Sequence, residues 1–354
     1  MANRYIRQET FRGIGKKGQE KLREASVTII GLGALGSMAA NNLARAGVGF
    51  IRLVDRDIVE ESNLQRQMLY SEDDVRKQLP KAVAALKHLK EINSENTYES
   101  VVTDANSSTI DGLIEDADLI IDGTDKFEVR FLMSEACLHH KKNWIYGGAR
   151  GSIGMTKNFI YGETQPCLRC MMSYDGAKNM PTCATEGILN ATTAILASLE
   201  SNEAIKILTG SDKVREEMLY FDIWENRSRK IAVLKNKECP VCGYGQYSFY
   251  GKTTGIQAAA LCGRDSVQVV PAEELTVSFS EFAEKLQPFG AVKVNTFTLD
   301  FDDGTYGIKL FKNGRAIIKH VMDENRAKSI YTKYVTNQIP NHEGQTNSDQ
   351  KEHL

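Results

Sequence analysis

Short apolar runs alternate along the first half of the chain with longer amphipathic or alanine-rich stretches. VTIIG (Val27–Gly31), FIRLVD (Phe50–Asp55), YESVVT (Tyr98–Thr103), ADLIIDG (Ala117–Gly123) and WIYGGA (Trp144–Ala149) read as strands. Between them, Ser37–Ala46 is closed by Gly47 as a helical C-cap, Pro80 opens a helix to about Ile92, and Lys126–His140 has helical periodicity. Strands alternating with helices predict βαβ units and a mostly parallel sheet covered on both faces. From Gly151 to Tyr161 the pattern alternates as in a half-buried strand. Glu186–Leu208 reads as a long helix ended by Gly210, apolar enough to be buried on more than one side. MLYFDIW and KIAVLKN follow as two further strands, and the first unit is expected to close at Cys242.

Residues 243–255, rich in Gly, Tyr and Ser, read as a linker. Beyond it, residues 256–336 read as a small α+β domain. Ser278 and Glu281 have capping-box spacing ahead of a helix to about Gln287. Val292–Phe301 alternates, DDG turns, YGIKLF runs to an Asn313–Gly314 hairpin turn, and Asp323–Val335 forms a last helix. Residues 337–354 are a polar tail. The fold class expected is therefore α/β: a Rossmann-like, mostly parallel or mixed sheet with flanking helices, plus the small C-terminal α+β domain.

Composition narrows the function without naming it. The length of 354 residues fits about two domains of roughly 150 residues, and 42% hydrophobic with 25% charged residues is an ordinary globular balance. Lys+Arg number 44 and Asp+Glu 46, a net charge of −2. That leaves no general basic field for nucleic acid or an anionic membrane, so any anion must be held locally. No run approaches 18 apolar residues and the start lacks a signal-peptide core, so a cytosolic protein is expected. In that compartment seven cysteines suggest metal binding or catalysis before disulfides.

Gly31-Leu32-Gly33-Ala34-Leu35-Gly36 joins the first strand to the first long helix. Such glycines let backbone N–H groups approach a phosphate at a helix N-terminus. Asp55, at the end of the next strand, is placed to accept hydrogen bonds from ribose hydroxyls. NAD and ATP fit equally to this point. The run that follows includes Asp57 and Ser62-Asn63-Leu64-Gln65-Arg66-Gln67, and then Lys81 in the first turn of a helix. Arg66 offers a planar fork for an extra phosphate, and Lys81 sits where a helix disfavours a cation unless an anion is near. Asp125, in Asp122-Gly123-Thr124-Asp125, lies at the carboxyl end of a parallel sheet, where one carboxylate with phosphate oxygens can hold Mg²⁺.

These motifs, in this order and spacing, resemble the ubiquitin-activating-type adenylyltransferases of the ThiF/MoeB/HesA family. RYIRQ near the start and KKGQEKL before the first strand match that family's opening. The resemblance covers roughly Arg4 to Cys242, making residues 1–242 an adenylation domain. It implies that Gly31, Gly33 and Gly36 lie at the nucleotide, that Asp55 binds the ribose, that Asn63, Arg66 and Lys81 contact phosphates, and that Asp125 holds Mg²⁺. It also places Asp57, Gln67 and Lys126 at the site, and has Arg7 reach the triphosphate of a neighbouring subunit in a homodimer. The family usually has Asn after the magnesium aspartate; here it is Lys126. The implied activity is ATP-dependent adenylation of a ubiquitin-like sulfur carrier of ThiS or MoaD type ending Gly-Gly, followed by sulfur transfer from a donor such as a cysteine desulfurase. A nicotinamide-dependent oxidoreductase and a non-catalytic scaffold of the same fold are the alternatives.

Cys167-x-x-Cys170 and Cys239-x-x-Cys242 can supply four thiolates to one structural Zn²⁺, and the resemblance implies the same site. Cys137 reads as core. Cys262 has no assigned task. Cys183 precedes the long helix, where a helix N-terminus lowers a thiol pKa. In ThiF-like relatives that thiol forms a thioester or acyl-disulfide with the carrier, so Cys183 is the candidate catalytic thiol, with Arg7 and Arg66 as catalytic cations.

Overall fold

Five strands pair in parallel: β1 (Ser26–Ile30), β2 (Phe50–Val54), β3 (Thr97–Val101), β4 (Leu119–Asp122) and β5 (Asn143–Arg150). Their spatial order is β3-β2-β1-β4-β5, continued by antiparallel β6 (Ile153–Phe159), β7 (Met218–Asp222) and β8 (Arg227–Ile231). This is a computed structural model describing residues 3–178, 186–252, 257–260, 265–271 and 275–338. The chain divides into two units, Met1–Lys252 and Thr253–Leu354.

Strand pleating explains why the parallel strands read as continuous apolar runs. Val27, Ile29, Ile51, Leu53, Ile121 and Ile145 pack with Leu43, Ala85, Leu89 and Ala204 on one face. Ile30, Val54, Ile120, Trp144 and Tyr146 pack with Ile110, Phe131, Met133 and Ala136 on the other. The central strands β1 and β4 meet packed helices on both faces, so both faces are mostly apolar, while the edge strand β3 is partly exposed. Going from β1, the order runs to β2 on one side and β4 on the other. That change of direction opens a crevice at the carboxyl ends of these two strands.

Two boundaries differ from the sequence pattern for identifiable reasons. The long helix spans Asn190–Thr209 rather than starting at Glu186. Gly187 takes a left-handed φ of 77°, Ile188 bridges to Gly151, and the Leu189 N–H donates to the Gly151 carbonyl at 3.1 Å, so the long helix starts only after an extended Leu189. β8 is Arg227–Ile231, earlier than the apolar KIAVLKN run. Its hairpin with β7 pairs Asp222 with Arg227 and Met218 with Ile231, and β7 begins at Met218, so Ala232 onward has no strand to pair with.

The second unit is an antiparallel sheet, β11-β12-β13-β14-β10-β9, formed by β9 (Gln257–Ala260), β10 (Ser266–Val270), β11 (Ala291–Val294), β12 (Thr298–Asp302), β13 (Gly307–Phe311) and β14 (Ala316–Lys319). The helices Phe279–Leu286 and Glu324–Tyr334 pack on its core of Val267, Leu299, Phe301, Ile308, Ile318 and Tyr331. The alternating run Val292–Phe301 is broken into two strands. Asn295 Oδ1 accepts from the Phe297 and Thr298 N–H groups at 2.8 Å each, an Asx turn that alternation alone conceals. The Ser278 capping box does not form; its hydroxyl meets that of Ser280 at 3.1 Å. Asp323 does cap its helix, accepting from the Arg326 N–H at 2.7 Å. Residues 339–354 of the expected tail, and Cys262, lie outside the described residues.

The expected linker begins by packing into the first unit. Glu135, buried on the helix Phe127–His139, accepts the N–H groups of Ser248 (3.0 Å), Phe249 (2.7 Å) and Tyr250 (2.9 Å). Phe249 stacks on Phe131 at a 5.6 Å centroid distance, and the Tyr250 hydroxyl reaches His140 at 3.3 Å. His140 itself pairs with Asp111 at 2.6 Å. Glu135→Ala strands three amides and is expected to cost the first unit roughly 2–4 kcal/mol. Calorimetry should show the lower midpoint, and amide exchange should accelerate at residues 248–250; unchanged exchange there would refute the clamp.

Candidate nucleotide site and cysteine cluster

Three glycines meet where β1 and β4 end. Gly31 has a left-handed φ of 88°, and a Cβ there would lie 2.7–2.8 Å from the backbone of Gly123 and Thr124. A Cβ on Gly36 or on Gly123 would overlap the Gly31 carbonyl oxygen. Gly33 differs. Its φ is −71°, and a Cβ there would meet nothing closer than Gly123 O at 3.7 Å and Gln67 Nε2 at 4.0 Å. Folding therefore requires Gly31 and Gly36 to be glycine but not Gly33, whose missing side chain leaves space at the N-terminus of the helix Ala34–Ala46. Gln67 is 3% exposed, and its Oε1 has no hydrogen-bond partner. Open space at a helix N-terminus suits an anion, and the unpartnered Oε1 leaves the same buried Gln67 amide able to accept a further hydrogen bond.

Around this loop acids and bases interleave. Asp55 Oδ2 accepts the Leu32 N–H at 2.7 Å and its Oδ1 accepts the Asp57 N–H at 2.7 Å. Burial pushes the Asp55 carboxyl up, and Lys81 pulls it part of the way back. Lys81 is buried at the start of the helix Lys81–Ile92, 3.5 Å from Asp57 Oδ2. Burial acts to lower Lys81, but Asp55, Asp57 and Asp125 outweigh it, and its pKa is raised. Arg56 binds Asp104 at 2.8 Å. Asn63 is held by its turn, accepting the Glu60 N–H at 3.2 Å, and Arg66 donates to the Ser62 carbonyl at 3.0 Å. Asp125 is exposed and has no hydrogen bond or ion pair among the described residues. Lys126, at the N-cap of the helix Phe127–His139, is lowered by burial and by Arg56.

Beneath the Asp122–Asp125 turn lies a buried network that the sequence did not reveal. Asp122 is fully buried; its Oδ1 accepts the Thr124 N–H (2.9 Å) and hydroxyl (2.8 Å), and its Oδ2 accepts Arg130 Nε (2.8 Å). Arg130 Nη2 donates to the carbonyls of Thr124 and Gly147, both at 2.7 Å. Glu200, also fully buried, presses against Gly147, and neither of its oxygens has a partner. Burial first, and Asp122 second, push the Glu200 carboxyl well up. Arg130 and Arg215 act the other way on Glu200, but Asp122 takes the Arg130 side chain and the Thr124 donors, so burial prevails at Glu200.

The four paired cysteines converge. Cys167 and Cys239 Sγ are 3.7 Å apart, Cys170 and Cys242 Sγ 3.4 Å, and all four sulfurs lie within 4.8 Å of one another. Tetrahedral zinc with Zn–S bonds of about 2.3 Å needs sulfurs about 3.8 Å apart, so the donor set and spacing fit such an ion. Burial raises Cys167. Cys239 is lowered, because backbone N–H groups of Cys242 and Val241 aimed at its sulfur outweigh its own burial.

The sequence model of the ThiF family matches residues 5–241. The chain belongs to the ThiF family. A curated relative, the sulfur carrier protein ThiS adenylyltransferase of Bacillus subtilis, is 39% identical over 341 residues, 95% of this chain and all of that one. The molybdopterin-synthase adenylyltransferase of Escherichia coli is 35% identical over 241 residues, covering 68% and 96% of the two chains. Among solved structures, Escherichia coli MccB with ATP matches 69% of this chain and 75% of its own, at a TM-score of 0.60 and 24% identity, which speaks to the fold alone. Consistent with this family, the chain is an adenylyltransferase.

Of the positions expected from the ThiF resemblance, the structure gathers Gly31, Gly33, Gly36, Asp55, Asp57, Gln67, Lys81, Asp125 and Lys126 around the β1 and β4 ends. Asn63 and Arg66 lie on the 61–67 turn that also carries Gln67. Arg7 is exposed on the helix Ile6–Thr10 and has no hydrogen bond or ion pair among the described residues. Cys183 lies outside the described residues. Cys137 is core, as its helix predicted, with its thiol pushed up by burial. Arg130 and Glu200 were missed. A charged residue inside an apolar helix was their only signal, and it names no partner.

The contrast between two glycines is testable. Gly36→Ala is expected to cost roughly 3 kcal/mol through overpacking. Gly33→Ala should leave thermal stability within about 0.5 kcal/mol and weaken nucleotide binding by roughly tenfold or more. Unaltered ATP titration of a Gly33→Ala chain would show that the space is not a ligand's.

Proposed function

We propose that this chain uses MgATP to adenylate the C-terminal carboxylate of a ThiS-type, ubiquitin-like sulfur carrier ending Gly-Gly, in the cytosol and as a homodimer. The observation that carries the reading is the match over 341 residues to a protein named for ThiS adenylation, which takes in both units. The match to the molybdopterin-synthase adenylyltransferase covers 68% of the chain, so a MoaD-type carrier ranks second. A nicotinamide cofactor would leave the buried Lys81 and the exposed Asp125 without a task. Among the described residues no helix is long and apolar enough to cross a membrane.

The triphosphate would lie on the N-terminus of the helix Ala34–Ala46, in the space beside Gly33, with Gln67 Oε1 as an acceptor for a donor of the nucleotide. Asp55 fixes the loop through the Leu32 amide while its remaining lone pairs face the ribose. Lys81 stays charged among its aspartates and is released toward phosphate oxygens as they arrive. Asp125, a hard oxygen donor with no internal partner, fits Mg²⁺, which when bound neutralises phosphate charge. The carrier carboxylate attacks the α-phosphorus and pyrophosphate leaves. A carboxylate is already a nucleophile, so positioning and electrostatics suffice. Arg66, and Arg7 from the second subunit, would stabilise the developing charge. Sulfur from a donor such as a cysteine desulfurase would then attack the acyl carbon with Cys183 taking part, forming the C–S bond as the bond to AMP breaks and AMP leaves. The Cys167–Cys170–Cys239–Cys242 cluster fits Zn²⁺ with no open position, a clasp that ties the chain after β6 to the chain after β8.

ATP–pyrophosphate exchange is expected only when a ThiS-type carrier is added, and Lys81→Ala should lower it by roughly 100-fold. No exchange with either a ThiS- or a MoaD-type carrier would sink the reading. Metal analysis of the purified chain should find about one zinc, and Cys170→Ser should lower zinc retention and the unfolding temperature together. Full-strength zinc in that variant would argue against a four-thiolate site.

A further inference from the structure

We infer that Arg130 is a positioning residue for the metal–phosphate chemistry: it fixes the Gly123–Thr124 turn so that the Asp125 carboxylate points into the crevice. The inference rests on the reading of Asp125 given above. Asp125 has no hydrogen bond or ion pair of its own among the described residues, so its direction is set by the backbone on either side. On one side Thr124 is held at every polar atom. Its N–H and hydroxyl are bound to Asp122, and its carbonyl accepts from Arg130 Nη2 at 2.7 Å. On the other side Lys126 begins the helix, and its carbonyl accepts the Arg130 backbone N–H at 3.2 Å. Arg130 thus holds the residue before Asp125 through its side chain and the residue after it through its main chain.

The anchor itself is rigid. Arg130 is 6% exposed, its guanidinium lies 5.1 Å from the centroids of both Phe127 and Tyr146, and it also holds the Gly147 carbonyl of β5. Burial opposes its charge, but Asp122 outweighs that, and Arg130 remains a cation. Only a planar fork meets Asp122 Oδ2, Thr124 O and Gly147 O at once; an ammonium presents one point charge on a shorter stem. Glu200 packs against Gly147 without a hydrogen-bond partner, so it does not compete with Asp122 for the Arg130 hydrogen bonds.

The test compares Arg130→Lys, Arg130→Gln and Asp125→Asn as full-length chains. Mn²⁺ is titrated into each in the presence of ATP and followed by electron paramagnetic resonance. Metal-free ATP binding and thermal midpoint are measured alongside. Supporting residues around a metal typically change its affinity by 10–100-fold, so Arg130→Lys should weaken Mn²⁺ binding by roughly tenfold while metal-free ATP binding changes less than about threefold. A purely structural Arg130 would lower the midpoint and leave the Mn²⁺ affinity of the folded fraction unchanged, which overturns the inference. If Asp125→Asn also leaves Mn²⁺ affinity unchanged, the reading of Asp125 fails instead. If Asp125→Asn weakens it and neither Arg130 variant does, only the positioning role fails.

Discussion

The site depends on one steric fact: the backbones of Gly31, Gly36 and Gly123 are in contact. β1 and β4 are adjacent parallel strands, and the turns that leave them occupy the same small volume. Side chains at these positions would force the turns apart. Their absence brings the first residue beyond β1, the start of the helix Ala34–Ala46 and the Asp122–Asp125 turn together. The helix N-terminus and the exposed carboxylate of Asp125 then share one crevice without any loop having to reach. The order β3-β2-β1-β4-β5 supplies the rest, because parallel strands deliver Asp55, Asp57 and Asp125 to the same edge of the sheet.

That edge would be unstable if it held only one sign of charge. Each buried cation is set against carboxylates from the strand ends: Lys81 against Asp55 and Asp57, Arg56 against Asp104, Arg130 against Asp122. Breaking any of these pairs strands a buried charge, which is costlier than never having built the pair. The overall charge of −2 therefore hides a strongly ordered local field. Glu200 is the exception on the long helix: it has no hydrogen-bond partner, and burial pushes its carboxyl well up.

What was legible in the sequence follows from how local its cause is. The glycine loop, the parallel strands and the two Cys-x-x-Cys pairs are visible because spacing along the chain sets them. β8 was misplaced because its position is fixed by pairing with β7, and the exposed Arg227–Ile231 has no apolar signature. The break between β11 and β12 was hidden because the alternating pattern continues through an Asn295 side-chain turn. The Arg130 network joins β4, β5 and two helices, so no window of sequence contains it. The Gly/Tyr/Ser composition of residues 243–255 reads as a linker and does not reveal that three successive amides, at 248–250, converge on Glu135, a residue more than a hundred positions earlier.

Glu135 and Arg130 lie on the same helix, and this relates the two ends of the first unit. Phe127–His139 begins at the Asp125–Lys126 turn, is pinned near its start by Arg130, and near its end receives the segment that leads out of the unit. Its middle is buried on nearly every side, with each residue from Arg130 to Cys137 buried. A helix so enclosed moves as a rigid rod or not at all, since close-packed interiors have discrete arrangements rather than continuous play. The burial that makes this helix look merely structural thus fixes the backbone beside Asp125 at its start and holds residues 248–250 near its end.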